Sequence, residues 1–457
     1  MNRNAEYAAL LTELEQTPPA LEYTVQRAMT RKRASRKKRL FGVPLGSLAA
    51  CFLVFVLLVN LFPSFAYACG RVPLLRELAK AVAWSPSLSA AVENEYVQPI
   101  GLSQTKNGIT ATIQYLIVDQ KQVNIFFTLE GEGYESLSAE MPEFDTEQSC
   151  SILGANFNQA PGTLLRFYLD YPDTVPDGFT ITFAVTGERE GEEKPGAAAP
   201  APMQSVADEM LEPWQEEQQQ EILAEFTFDL TFDPQFTDPG EVIPVNETFQ
   251  MDGQTFTVTE VEIYPTQLRL NVEGDPDNTA WLKGLDFYLE NEDGERFDTV
   301  TNGVTATGDE DTPAMVSFRL ESPYFSHSDR LTLHITGARW LDKDHERVYV
   351  DLAHASAPWL PEGVTLTSAQ RREGGWFLTL RVSPMEYPTT SIFSMTFYDA
   401  QGREWEASKQ GFTASADGRQ DSQIMLPLPG YQEDEVWLEA YYSHTTTEDP
   451  PIVLPIK

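Results

Sequence analysis

An almost unbroken apolar run covers residues 40–62, LFGVPLGSLAACFLVFVLLVNLF, with Ser47 and Asn60 as its only polar side chains. At ~1.5 Å rise per residue it reaches ~34 Å, enough to cross a ~30 Å hydrocarbon core, so the pattern predicts a membrane-spanning helix. After it the periodicity changes. Residues 72–84 place Leu75, Leu78, Ala79 and Val82 on one face and Arg76, Glu77 and Lys80 on the other, which predicts a short amphipathic helix that packs on the next domain or lies in the headgroup layer. A second short helix is expected over residues 87–96. From residue 99 onward the chain alternates with a period of two: Ile109, Ala111, Ile113, Tyr115 and Ile117 interleave with Thr110, Thr112 and Gln114, and the apolar strand VNIFFTL follows the turn Asp119-Gln120-Lys121.

That hairpin pattern returns twice. GITATIQYLIVDQKQVNIFFTLEG from Gly108, GQTFTVTEVEIYPTQLRLNVEG from Gly253 and GVTLTSAQRREGGWFLTLRVSP from Gly363 each start at a glycine, run through a Thr-bearing strand, turn, and resume as an apolar strand. A second echo pairs FYLENEDGERFD from Phe287 with FYDAQGREWE from Phe397, each an aromatic strand, a turn centred on Gly294 or Gly402, and an aromatic return at Phe297 or Trp405. The spacing of the last two units, about 110 residues, is that of an immunoglobulin-like sandwich. The immunoglobulin cysteine pair is absent, so only the architecture is implied.

The expected fold is therefore mainly β: a short helical cytoplasmic head (1–39), a single transmembrane helix (40–62), a juxtamembrane helical segment (63–98), and tandem immunoglobulin-like β-sandwich modules at 99–236, 237–355 and 356–457. One segment breaks the rhythm. Residues 187–221 carry ten acidic side chains with Pro/Ala and Gln/Glu bias, too little apolar surface to offset ordering entropy, and read as a mobile loop between two strands of the first module.

Charge divides the chain in the same way. Residues 1–39 hold nine Lys/Arg and four Glu, net +5, which leaves net −42 for the rest of a chain whose total is −37. The cluster Arg31, Lys32, Arg33, Arg36, Lys37, Lys38 and Arg39 abuts the apolar run, and the positive-inside rule places the N-terminus in the cytoplasm, the span in the lipid bilayer and the acidic remainder outside, where its charge suits neither nucleic acid nor anionic lipid. Ala66-Tyr67-Ala68 would suit a signal-peptide cleavage site, but the apolar run is longer than a signal core and follows a long head, which favours a retained anchor. Cys51 falls in the span; Cys69 and Cys150 fall outside it, where a disulfide could join them.

Little of the chain suggests chemistry. His327, His334, His345, His354 and His444 sit in no catalytic or metal-ligand spacing, and His345 reads as part of a solvated turn. Acidic clusters at 275–278, 292–295 and 309–311 lack the twelve-residue calcium-loop spacing. Trp281, Trp340, Trp359, Trp376, Trp405 and Trp437 could line a glycan surface, but in sandwiches tryptophan more often fills the core. No enzyme, cofactor or metal is expected. The head is more suggestive: Leu10, Leu11 and Leu14, then Leu21, Val25 and Met29 beyond Pro18-Pro19, form two short apolar stripes that suit a partner groove, against the plainer reading of an inert, lipid-touching tail.

The order of these parts carries a family likeness. Residues 59–131, which follow the basic head and close the span and continue through the Pro-Ser-Phe-Ala exit, short helix, Val-Glu-Asn-Glu-Tyr-Val-Gln and hairpin, resemble the anti-sigma-factor-like single-pass membrane family of Gram-positive bacteria with a domain of unknown function of the DUF4179 type. The segment from Pro244, PVNETFQMDGQTFTVTEVEIYPTQLRLNVEG, resembles the immunoglobulin-like DUF5643 type that follows it there. The resemblance implies a cell-membrane regulator whose cytoplasmic head binds an extracytoplasmic-function sigma factor and whose extracytoplasmic region senses a signal or acts as a protease-controlled gate. The alternative is an anchored envelope protein whose sandwiches bind another protein or wall polymer.

Overall fold

The computed structural model describes residues 72–457 apart from 146–147, 155, 192–220, 238–239, 301–302, 310, 383–391, 408–410 and 414–421. The described chain is mainly β. It opens with helices α1 (Val72–Ala81) and α2 (Pro86–Glu93) and continues through strands β1 (Gln98–Lys106), β2 (Ile109–Val118), β3 (Gln122–Gly131), β4 (Tyr134–Ala139), β5 (Glu143–Asp145), β6 (Ser151–Leu153), β7 (Asn156–Gln159), β8 (Leu164–Asp170), β9 (Gly178–Arg189) and β10 (Ala224–Thr231). These ten strands form two antiparallel sheets, β1-β2-β3-β8-β6 and β10-β9-β4-β7 with β5 beside β9, which enclose a core around Ile113, Phe127, Phe167, Phe183 and Phe226. Strands β9 and β10 pair from Gly178↔Thr231 to Val185↔Ala224, so the acidic segment connects neighbouring strands of one sheet.

The expected fold class needs one correction. Among the described residues no helix is long and apolar enough to cross a membrane. The longer helix, α1, has 10 residues and so spans only about 15 Å, half a hydrocarbon core. The structure gives the expected transmembrane helix no support; residues 40–62, on which it rested, and the head at 1–39 lie outside the described residues.

The second sandwich comprises β11 (Glu241–Met251), β12 (Gln254–Ile263), β13 (Leu268–Gly274), β14 (Ala280–Asn291), β15 (Arg296–Phe297), β16 (Ala306–Gly308), β17 (Met315–Leu320) and β18 (Leu331–Asp342). The third comprises β19 (Arg347–Asp351), β20 (Val364–Arg372), β21 (Gly375–Val382), β22 (Phe393–Tyr398), β23 (Glu404–Glu406), β24 (Gly411–Thr413), β25 (Ser422–Pro429) and β26 (Glu435–Ala440). The last strand, β27 (His444–Pro455), then returns to pair with β18, completing the sheet β15-β14-β18-β27 of the second sandwich. The third sandwich is thus inserted between two strands of the second.

The repeated hairpins fold as their sequences suggest: β2–β3, β12–β13 and β20–β21 are antiparallel pairs. Each carries a register shift in its first strand, between Ile113 and Tyr115, Val258 and Glu260, and Leu366 and Ser368. A bulge of this kind adds one residue and resets which face each side chain takes. In β2 it sends Ile109, Ala111, Ile113, Leu116 and Val118 into the first core, while Tyr115 and Ile117 turn to the opposite face. There, with Phe126 of β3, they receive Leu78 of α1, Val82 just past its end, and Leu88 and Ala91 of α2. Sheet β1-β2-β3-β8-β6 is covered on both faces, which is why YLIV and VNIFF read as continuous apolar runs rather than alternating ones. The turn echo also holds: Asn291 Oδ1 accepts from the amides of Asp293 and Glu295, Asp399 Oδ1 accepts from those of Gln401 and Arg403, and Gly294 and Gly402 share a φ of 76°.

Candidate functional site

The outer face of β12, β13 and β17 looks like an ordinary solvent face, with Glu260, Glu262, Arg269, Asn271, Ser317 and Arg319 alternating against the inward Val261, Leu270, Phe318 and Leu320. It is instead an interface. The β2–β3 turn and the end of β8 from the first sandwich press on it, and the Arg269 and Arg319 side chains keep only 3% and 1% of their exposure. Asp170 lies between them: Oδ1 accepts from Arg269 Nη2 at 3.0 Å and from Gln267 Nε2 at 3.0 Å, and Oδ2 accepts from Arg319 Nη2 at 3.0 Å. Arg269 also donates to the Tyr171 carbonyl at 2.8 Å.

Asp119, fully buried in the β2–β3 turn, uses both oxygens. Oδ1 accepts from the amides of Lys121 and Gln122, each at 2.8 Å, and shapes its own turn; Oδ2 accepts from the Thr266 amide at 3.0 Å and hydroxyl at 2.6 Å across the interface. Burial holds the Asp119 carboxyl above its ordinary range despite these four bonds and the nearby Arg269. Arg269 is pushed below the usual arginine value, first by burial and then by the charge of Arg319. Lys121 approaches Glu262 at 3.7 Å, and Glu262 accepts from Tyr264 Oη at 2.6 Å and Asn271 Nδ2 at 2.7 Å. Three carboxylates thus face three cations, and the assembly is formally neutral. A buried set of this sort adds little net stability over an apolar one but penalises any geometry that parts a charge from its partner.

The helical segment is locked into the same junction. Ser85 caps α2, its Oγ accepting from the Leu88 amide, with Pro86 at the first helical position where a missing N–H costs nothing. Glu321, just past β17, reaches the start of that helix: Oε2 accepts from the Ser87 amide at 2.7 Å and from the hydroxyls of Ser85 at 3.1 Å and Ser87 at 2.5 Å. Ser87 Oγ in turn accepts from the Ser322 amide at 2.6 Å. Burial keeps the Glu321 carboxyl above its ordinary range against the pull of the serines. Beside it the Arg166 guanidinium lies 4.6 Å from the Trp84 ring and 5.1 Å from that of Tyr168, and burial lowers its pKa to about 10. Tyr96 adds edge contacts to Phe236 of the linker between sandwiches and to Phe325 of the second. Helices, first sandwich and second sandwich therefore meet at one dry, polar centre.

The residues singled out from sequence fall elsewhere. Arg31, Lys32, Arg33, Arg36, Lys37, Lys38 and Arg39, the stripe Leu10, Leu11, Leu14, Leu21, Val25 and Met29, and Cys69 all lie outside the described residues. Cys150 packs at the edge of the first core, and its thiol is raised, chiefly by burial. Trp340 and Trp376 are core residues, and Trp281, Trp359 and Trp405 pack against the third core. The acidic turns use carboxylates as local acceptors, Asp275 for the Asp277 amide and Asp309 for that of Asp311. Periodicity does not reveal the junction residues, because a charged side chain on the polar side of an alternating strand signals solvent by default, and the three-residue turn at Asp119 carries no mark of a partner beyond the turn itself.

Residues 36–131 match a family described as Domain of unknown function (DUF4179), and residues 240–364 match a Family of unknown function (DUF5643). The chain carries these two domains in that order. The DUF4179 region takes in α1, α2 and the first hairpin, and the DUF5643 region takes in β11 to β19. DUF4179 regions are associated with anti-sigma-factor-like proteins. No curated protein matches the chain. Among solved structures, a conserved domain protein from Bacillus anthracis is similar at 14% identity and TM-score 0.38, over 57% of this chain and 84% of that one. An uncharacterized protein from Listeria monocytogenes EGD-e, in complex with glucose, magnesium and calcium, is similar at 8% identity and TM-score 0.11, over 70% of this chain and 29% of that one. Likenesses this weak say nothing further about either domain.

Proposed function

We propose that the chain is a non-enzymatic regulator of the anti-sigma-factor-like kind, in which the head at residues 1–39 binds an extracytoplasmic-function sigma factor and the β region governs that head. The DUF4179 match supports the class. One observation supports the route of control: the helical segment that follows the head and the apolar run in sequence is held by Ser85 and Ser87 on Glu321 of the second sandwich, 234 residues further along for the Ser87 bond. A stimulus that strains the sandwiches against each other would strain those bonds too, because Arg319 and Glu321 sit two residues apart. The junction's acids and bases are buried and mutually bonded, an arrangement suited to rigidity rather than to substrate chemistry.

The test is affinity capture of the full-length protein from its native host beside a variant lacking residues 1–30, with partners identified by mass spectrometry. Recovery of a sigma factor with the intact chain alone supports the regulator. Recovery of envelope partners only, and equally with both chains, sinks it in favour of an envelope binding protein.

A further inference from the structure

The chain leaves the second sandwich at Asp342 and re-enters it at His444, and at this crossing two imidazoles and three carboxylates converge. His444 Nε2 lies 2.6 Å from Asp252 Oδ2. A carboxylate only accepts, so Nε2 carries the proton of this contact, which leaves Nδ1 as the second ring nitrogen. That nitrogen faces Asp342 Oδ1 at 3.6 Å. The second imidazole repeats the situation: His345 Nδ1 is 2.9 Å from Asp344 Oδ1 and 3.7 Å from Asp342 Oδ2, yet it is shielded from solvent and makes no hydrogen bond. The ring is fixed by stacking on Trp359, centroids 4.2 Å apart and planes within 18°. Ring nitrogens and carboxylate oxygens at these distances are held together by a positive centre, either a proton on the ring or a metal ion between them.

We propose that Asp342, Asp344 and His345 Nδ1 bind a divalent transition-metal ion of the zinc class, with His444 Nδ1 approaching the other oxygen of Asp342. With bonds of about 2.0–2.1 Å to zinc, ligand atoms 2.9 and 3.7 Å apart subtend about 90° and about 125–135° at the ion, on either side of the tetrahedral angle. The off-axis position of Asp344, which spoils a hydrogen bond, suits two ligands on one ion. Asp252 on the far nitrogen of His444 supplies the carboxylate–imidazole support that orients a metal-binding histidine. The site ties the β18–β19 turn to the first residue of β27, the two points where the inserted third sandwich joins the second. It stands independently of the regulator reading.

The test is titration of the full-length chain with Zn²⁺, beside the H345A/H444A double variant and H354A, whose His354 pairs with the single carboxylate of Asp351. One Zn²⁺ per chain, bound at least about tenfold more tightly than by the double variant, with H354A unchanged and D252N weakened about tenfold, is the expected result. Co²⁺ in place of Zn²⁺ should give the visible absorption of a tetrahedral nitrogen–oxygen site, lost in H345A. Equal Zn²⁺ binding by intact and double-variant chains, with NMR titration of His345 and His444 showing imidazolium rings instead, would overturn the proposal and leave two protonated ion pairs. The variants alter side chains about 30–79% exposed, so circular dichroism should be unchanged.

Discussion

The second sandwich meets its two neighbours in opposite ways. Toward the first it presents Arg269 and Arg319 around Asp170, side chains no more than 3% exposed, with no strand shared. Toward the third it shares the chain itself: β18 runs on into β19, β26 returns into β27, and the ionisable groups at the crossing, Asp342 and His444, keep about 30% of their exposure. The first contact depends on charge matching in a dry space and the second on covalent continuity and strand pairing. A joint of the first kind responds sharply to the loss of one group, whereas the second tolerates single side chains but not the loss of its strand.

The largest effect should come from removing residues 444–457. This strips β27 from β18 and takes Leu454 and Ile456 out of the second core, a loss of about 3–6 kcal/mol in apolar burial alone. Urea unfolding should show the second sandwich destabilised by a deletion at the far end of the chain. Next comes Asp170→Ala, which strands two buried guanidiniums and should cost about 3–5 kcal/mol. Adding Arg269→Met and Arg319→Met should recover most of that cost, measured by the same unfolding transition.

A smaller effect is expected at Glu321, and it depends on pH. Its folded pKa lies above the ordinary 4.5 because of burial, so its contribution to stability is complete below that value and is lost as pH rises through the folded pKa. Glu321→Gln, which keeps an acceptor for Ser87 without the charge, should gain on the native chain between pH 4.5 and 7 and lose that advantage in acid; thermal unfolding across this range reads it. At the bottom of the scale, Lys80→Ala removes an exposed pair with Glu77, 66% and 61% accessible, and should shift stability by less than about 0.5 kcal/mol.

Legibility in the sequence follows the same division. The three hairpins and the turns at Gly294 and Gly402 were readable because each is set by residues adjacent in sequence. The bulge beyond Ile113 was not, since one inserted residue reverses the face of Tyr115 and Ile117 without changing the look of the alternation. Arg269 and Arg319 occupy polar-face positions, and no local pattern says that another sandwich covers that face. The return of β27 was hidden for a related reason: a strand's periodicity does not name its partner. The apolar stripes of the head and the run at 40–62 were the strongest sequence signals, and they fall outside the described residues.

The junction holds α2 through the second sandwich. Hydrogen exchange on the full-length chain and on Asp170→Ala, followed at the amides of α2 and of β22–β23 in the third sandwich, tests it most directly. Faster exchange is expected in α2, whose first turn rests on Glu321, with β22–β23 unchanged. Unchanged protection in α2 alongside measurable loosening of β13 and β17 would contradict it, because the helices would then be held by the first sandwich alone.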